Sequence, residues 1–136
     1  MSGAKGPVGV VLVSHSAAVA AAVADLARGL AGGGATAPVA PAGGLPDGGF
    51  GTSEELIVAA AGSVDRGSGV AVLADLGSAV LTVKALLAEG ELPSGARLLD
   101  APFVEGAVAA VVTASAGADL AAVEAAASEA YDYRKV

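Results

Sequence analysis

Two short apolar runs, Val8–Val13 and Val70–Ala74, constrain the fold of this chain more than any other feature. Each is too short for a helix and is rich in β-branched residues. Each stops at a polar or glycine-containing loop, Ser14-His15-Ser16 in the first case and Asp75-Leu76-Gly77-Ser78 in the second. Behind each loop lies a stretch rich in Ala, Leu and Val with helical spacing, Ala17–Arg28 and Ala79–Ala88. A strand buried on both faces, a tight loop and a helix, met twice, is the pattern of parallel βαβ units.

The remaining segments fit the same alternation. Ala35–Ala40 is expected as a second strand, and Pro38, which cannot donate to a ladder, assigns it to an edge. Pro41–Gly51 holds five glycines and two prolines and is expected as a loop. Thr52-Ser53-Glu54-Glu55 has the spacing of a capping box, with Thr52 capping a helix over Ser53–Val64. Ala96–Asp100 follows as a fourth strand and Ala101–Gly106 as a third loop. A helix over Ala107–Ala114 comes next, and a last one begins at Asp119 and runs to about Ser128. Residues 1–7 and 129–136 are expected to be loose ends around one domain with its core over 8–128. The expected architecture is α/β: an open, doubly wound, mainly parallel four-stranded sheet of order 2-1-3-4 with helices on both faces.

Composition narrows the partners. With 136 residues the chain can bury roughly two-thirds of its unfolded surface without staples. It has no cysteine to make any, and with a single histidine no metal centre is expected. The formal net charge of -7 opposes binding to a phosphodiester backbone, and two Phe, two Tyr and no Trp leave little to stack on bases or on a flavin. Lys5 followed by an apolar run imitates a secretory leader, but Ser14-His15-Ser16 ends that run after about six residues, below the usual apolar stretch. The chain therefore reads as soluble and cytoplasmic. Gly-x-Gly-x-x-Gly after the first strand, a Gly-Lys-Ser/Thr loop and a Gly-x-Ser-x-Gly elbow in its proper context are all missing, which removes the signatures of dinucleotide binding, ATP binding and serine hydrolysis.

In a 2-1-3-4 sheet the first and third strands are neighbours, and the crevice at their carboxyl ends would hold both His15 and Asp75. A neutral imidazole is a nucleophile through one ring nitrogen when a carboxylate holds the other N–H, and Asp75 is the candidate for that carboxylate. Gly77 and Ser78 open a helix whose free amides favour a phosphoryl group, with Ser16 as a further phosphate-binding candidate. A lone histidine after a strand is more often a polar surface residue, and an aspartate before a helix more often a cap. Spacing alone leaves the two readings at even odds.

The ordered set Val13-Ser14-His15-Ser16, Ala42-Gly43-Gly44 with Gly51-Thr52, Ala74-Asp75-Leu76-Gly77-Ser78-Ala79 and Ala101-Pro102-Phe103-Val104-Glu105-Gly106 resembles the DhaM family. These are the phosphotransferase subunits of the phosphoenolpyruvate-dependent dihydroxyacetone kinases, related to the mannose-type enzyme IIA domains of the sugar phosphotransferase system. The resemblance implies a phosphohistidine relay. His15 would accept a phosphoryl group from the histidine-containing phosphocarrier protein and pass it to ADP held on the DhaL subunit. The resulting ATP would phosphorylate dihydroxyacetone bound to DhaK (glycerone is the same compound). The chain would be a homodimer and need no cofactor of its own. Gly43, Gly44, Thr52, Phe103 and Glu105, drawn from these motifs, are the expected partner contacts. Some members carry fused phosphocarrier and enzyme I-like domains; here the donor is expected in trans. The alternatives are a mannose-type sugar transporter IIA domain and a non-catalytic regulatory module of the same fold.

Overall fold

The computed structural model describes residues 5–32 and 34–136. Its elements are β1 (Gly9–Ser14), α1 (Ala17–Leu30), β2 (Val39–Gly43), α2 (Glu54–Val64), β3 (Val70–Ala74), α3 (Gly77–Ala88), β4 (Ala96–Leu98), α4 (Phe103–Ser115) and α5 (Leu120–Glu129), with a 3-10 turn over Ala130–Asp132. The four strands form one sheet in the order β2-β1-β3-β4, every pair parallel, as the alternation of runs and helices predicts.

Side-chain alternation along the central strands splits the core in two. Val10, Leu12, Ala71 and Leu73 pack with α1, α4 and α5 on one face. Val11, Val13, Val70 and Val72 pack with α2 and α3 on the other. Both central strands are buried along nearly their whole length, which is why their sequences run apolar instead of alternating. Among the described residues no helix is long and apolar enough to cross a membrane.

Beyond shifts of one or two residues at other element ends, four differences from the sequence expectation bear on the fold. The second strand occupies Val39–Gly43 instead of Ala35–Ala40, so Pro41 lies inside a strand and not in a loop. The Pro38 carbonyl accepts from Val10 N and the Gly44 amide donates to Ser14 O, so even-numbered positions face β1 and the missing N–H of Pro41 falls on the open edge. Ser53, not Thr52, caps α2, its hydroxyl accepting from Leu56 N at 3.2 Å. Thr52 is engaged elsewhere, its Oγ1 3.2 Å from Thr82 Oγ1. The strand β4 ends at Leu98, two residues early, although Leu99 N still donates to Val72 O.

The fourth difference is that α4 starts at Phe103, so most of the expected third loop is helix. Pro102 sets the entry with φ -65°. Gly106, which reads as a breaker, is where the helix lies tightly against Leu73 of β3 and Ala101. A Cβ there would lie 2.7 Å from Ala101 Cβ and 3.1 Å from Leu73 Cδ2. Of the expected loose ends, residues 1–4 lie outside the described residues, and several of the others make contacts. Gly6 exchanges bonds with Arg66 and Ser68, Ala130 is buried, Tyr131 donates to Asp100 Oδ1 at 2.9 Å, and Lys135 pairs with Glu105 at 2.8 Å.

Candidate functional site

Parallel strands bring their carboxyl ends to one rim, and there β1 and β3 deliver Ser14, His15 and Asp75 side by side. The β1–β3 register pairs Val13 with Ala74, and the ladder continues one step beyond as Asp75 N donates to Val13 O at 3.1 Å. Asp75 is thus held next to the two residues that end the first strand. Its carboxylate receives four hydrogen bonds. Oδ1 accepts from His15 Nδ1 at 2.9 Å and from Leu76 N at 2.7 Å; Oδ2 accepts from His15 N at 3.0 Å and from Ser14 Oγ at 2.8 Å.

Burial by itself would raise the Asp75 pKa. The donors outweigh it: the His15 amide, the His15 ring, the Ser14 hydroxyl and the Leu76 amide together hold the carboxyl below the ordinary 3.8. An ionised carboxylate only accepts, so the Nδ1 proton of His15 is assigned to the bond with Asp75. Nε2 then carries the lone pair, and Ser78 Oγ, 2.5 Å away, donates its hydroxyl proton to it. The ring is about a quarter exposed and Asp75 less so. This is an oriented, solvent-facing imidazole with an anion behind it, an arrangement that suits a nucleophile.

The flanking helices complete the rim. Ser16 caps α1, its Oγ accepting from Val19 N at 3.2 Å. In contrast, α3 begins after Leu76 with no side-chain cap, so the first-turn amides at Gly77 and Ser78 lack intrahelical acceptors and stand at the exposed rim. The loop after β2 closes the other side, with Gly44 N on Ser14 O and Gly51 N on His15 O. Thr82 Oγ1 donates to Ser78 O at 3.0 Å, so the Thr52 hydroxyl donates to Thr82 and fastens that loop to α3. A cleft of about 440 Å³ adjoins Asp75 on the β4 side, lined also by Gly77, Lys84, Asp100 and Tyr131. Among the described residues no group of three or more His, Cys, Asp or Glu side chains could hold a metal ion.

The structure therefore brings together His15, Asp75, Ser78, Gly77 and Ser16. The five expected partner contacts are each also engaged within the chain. Gly44 is buried, Gly43 packs on the start of α1, Thr52 bonds Thr82, Phe103 lies against the core and Glu105 is paired with Lys135. Phe50, in the same loop, is 83% exposed. Sequence reasoning left Ser14 without a role and passed over Thr82. A polar residue closing an otherwise apolar buried strand was the signal for the first; nothing local marks the second.

The chain matches the EIIA-man family, described as PTS system fructose IIA component, over residues 9–124, and it belongs to that family. Within it, the chain is similar to the phosphoryl donor subunit DhaM of the PEP-dependent dihydroxyacetone kinase. It is 36% identical to the Escherichia coli protein and 38% identical to that of Pantoea ananatis, each over 117 residues and 83% of this chain. The family resemblance carried by the sequence motifs is borne out. The chain spans about a quarter of the length of these relatives, 25% and 24%. Among solved structures it resembles the protein of unknown function EF1359, with TM-score 0.74 and 30% identity over 90% of this chain and 94% of that one. A sigma-54 interaction domain protein from Enterococcus faecalis shares the fold, with TM-score 0.67 and 17% identity over 95% and 93%.

Proposed function

We propose that this protein is a phosphohistidine relay of a dihydroxyacetone kinase system, with His15 as the residue that carries the phosphoryl group and Asp75 as its partner. The observation that carries this reading is the pair of bonds on one imidazole, Nδ1 to Asp75 Oδ1 and Nε2 to the Ser78 hydroxyl. The Nε2 lone pair attacks the phosphorus of a phosphorylated donor in line. The donor's P–N bond breaks, and its imidazole leaves with the electron pair. No proton has to move to or from His15, because the new imidazolium keeps its Nδ1–H on Asp75, whose negative charge stabilises it. For this to happen Ser78 Oγ swings off Nε2. Its hydroxyl is then free to donate to a phosphoryl oxygen, alongside the uncapped amides of α3.

Discharge reverses the geometry. A terminal phosphate oxygen of ADP attacks the phosphorus, the P–Nε2 bond breaks, and His15 regains its lone pair. The histidine-containing phosphocarrier protein is the proposed donor, and ADP on DhaL the proposed acceptor, with DhaK downstream. The test is incubation with phosphoenolpyruvate, enzyme I and the phosphocarrier, followed by mass spectrometry and then by addition of DhaL with bound ADP. One acid-labile phosphoryl group on His15, lost on that addition as ATP forms, is the expected result. His15→Ala should take up none. Phosphorylation of the His15→Ala variant at the normal rate would sink the mechanism, and a stable phosphoprotein in the presence of DhaL–ADP would point to a regulator.

A further inference from the structure

We infer that Ser14 is a positioning residue for the phosphoryl-transfer imidazole: its hydroxyl fixes the plane of the Asp75 carboxylate so that one oxygen faces His15 Nδ1 squarely while the other is held by Ser14. The inference rests on the relay reading for its kinetic consequence and on geometry for everything else. Ser14 ends β1 with only 1% of its surface exposed, a polar side chain at the end of a strand of apolar ones. An alanine there would remove the burial of a hydroxyl altogether. The hydroxyl adds nothing to apolar packing; its contribution is the bonds it makes.

What it does is set by its two bonds. Ser14 Oγ accepts from Ser16 N at 3.1 Å and donates to Asp75 Oδ2 at 2.8 Å. Since the carboxylate cannot donate and the amide cannot accept, the direction of this chain is fixed. With Ser14 in place each carboxylate oxygen has two donors, Oδ1 the imidazole and the Leu76 amide, Oδ2 the His15 amide and Ser14. Without it Oδ2 keeps one, and the balance that holds the carboxylate plane against rotation about Cβ–Cγ is lost. The same oxygen of Ser14 spans residue 15: it holds the Ser16 amide on one side and, through Asp75, the His15 amide and ring on the other. Backbone and imidazole of the histidine are anchored to one hydroxyl–carboxylate pair.

Ser14→Ala and Ser14→Thr, each in the full chain, separate this role from a structural one. Because His15 is the single histidine, 15N-histidine labelling gives two ring-nitrogen signals that need no assignment by mutation. In the wild type they should report one tautomer, protonated at Nδ1. In Ser14→Ala they should move toward a mixture of tautomers. Phosphoryl uptake should fall about 10- to 100-fold, the range seen when outer-shell partners that orient metal-bound imidazoles are removed. Ser14→Thr, which keeps the hydroxyl, should restore both.

Wild-type nitrogen shifts and a wild-type uptake rate in Ser14→Ala would overturn the inference. So would a slower Ser14→Ala protein whose folded fraction keeps the wild-type tautomer, since that is what a merely structural loss gives. If the wild-type protein takes up no phosphoryl group, the relay reading fails on its own. The nitrogen signals of the two variants then still decide what Ser14 does.

Discussion

At the residue scale, the chemistry of the site is concentrated on one carboxylate. Asp75 is held ionised against its own burial by four donors, and two consequences are measurable. Asp75→Asn should lower the rate of phosphoryl uptake on the order of 10²-fold, because the neutral amide no longer stabilises the imidazolium formed on attack; single-turnover kinetics with the phosphorylated donor checks this. The same variant should change the acid limb of stability. A carboxylate whose folded pKa lies below its ordinary 3.8 stabilises the fold fully above that value. The contribution disappears as pH falls through the lower, folded value. Urea midpoints of wild type and Asp75→Asn should therefore stay a constant distance apart at neutral pH and converge in the acid range below 3.8. His15, Asp75 and Ser78 were legible as types at the ends of apolar runs. The hydrogen bonds among them were not, because Ser78 meets His15 across 63 residues of chain.

At the element scale, the positions of two helices depend on glycines that give no sign of this in the sequence. A Cβ at Gly43 would run into the Ser16 carbonyl oxygen and come within 2.8 Å of Ala17 Cα and Ala20 Cβ. The first turn of α1 and edge strand β2 thus touch backbone to backbone beside the site. Gly43→Ala should cost about 1–3 kcal/mol in chemical denaturation, the usual range for overpacking a tight contact. It should also slow phosphoryl uptake, since the turn that gives way follows directly on His15 and its N-cap Ser16. Elements whose residues agree locally, such as β3 and α5, could be read from spacing and caps with an error of a residue or two. The start of α4 could not, because Pro102 and Gly106 together look like a loop until the close approach to Leu73 supplies a reason for the glycine. The second strand was misplaced for a related reason: which residues face β1 decides whether Pro41 is tolerated, and that register is set by tertiary pairing.

At the scale of the whole molecule, the sheet divides the interior into two cores that share strands but not side-chain contacts across the sheet. Leu73 belongs to the core under α1, α4 and α5, and Ile57 to the one under α2 and α3. Leu73→Ala should cost about 2–5 kcal/mol and Ile57→Val about 0.5–1.5 kcal/mol. The two losses should add to within about 0.5 kcal/mol in the double variant, as measured by urea denaturation. One further property follows from the ladder that runs past Val13 into Asp75. The amide of Asp75 belongs to the sheet while its carboxylate belongs to the imidazole, so a single residue is both the last rung of strand pairing and the carboxylate partner of His15. Opening the site is therefore expected to be coupled to unzipping the ends of the central strands, and in native-state hydrogen exchange the Asp75 amide should be protected together with the amides of β1 and β3 instead of exchanging as an independent surface loop.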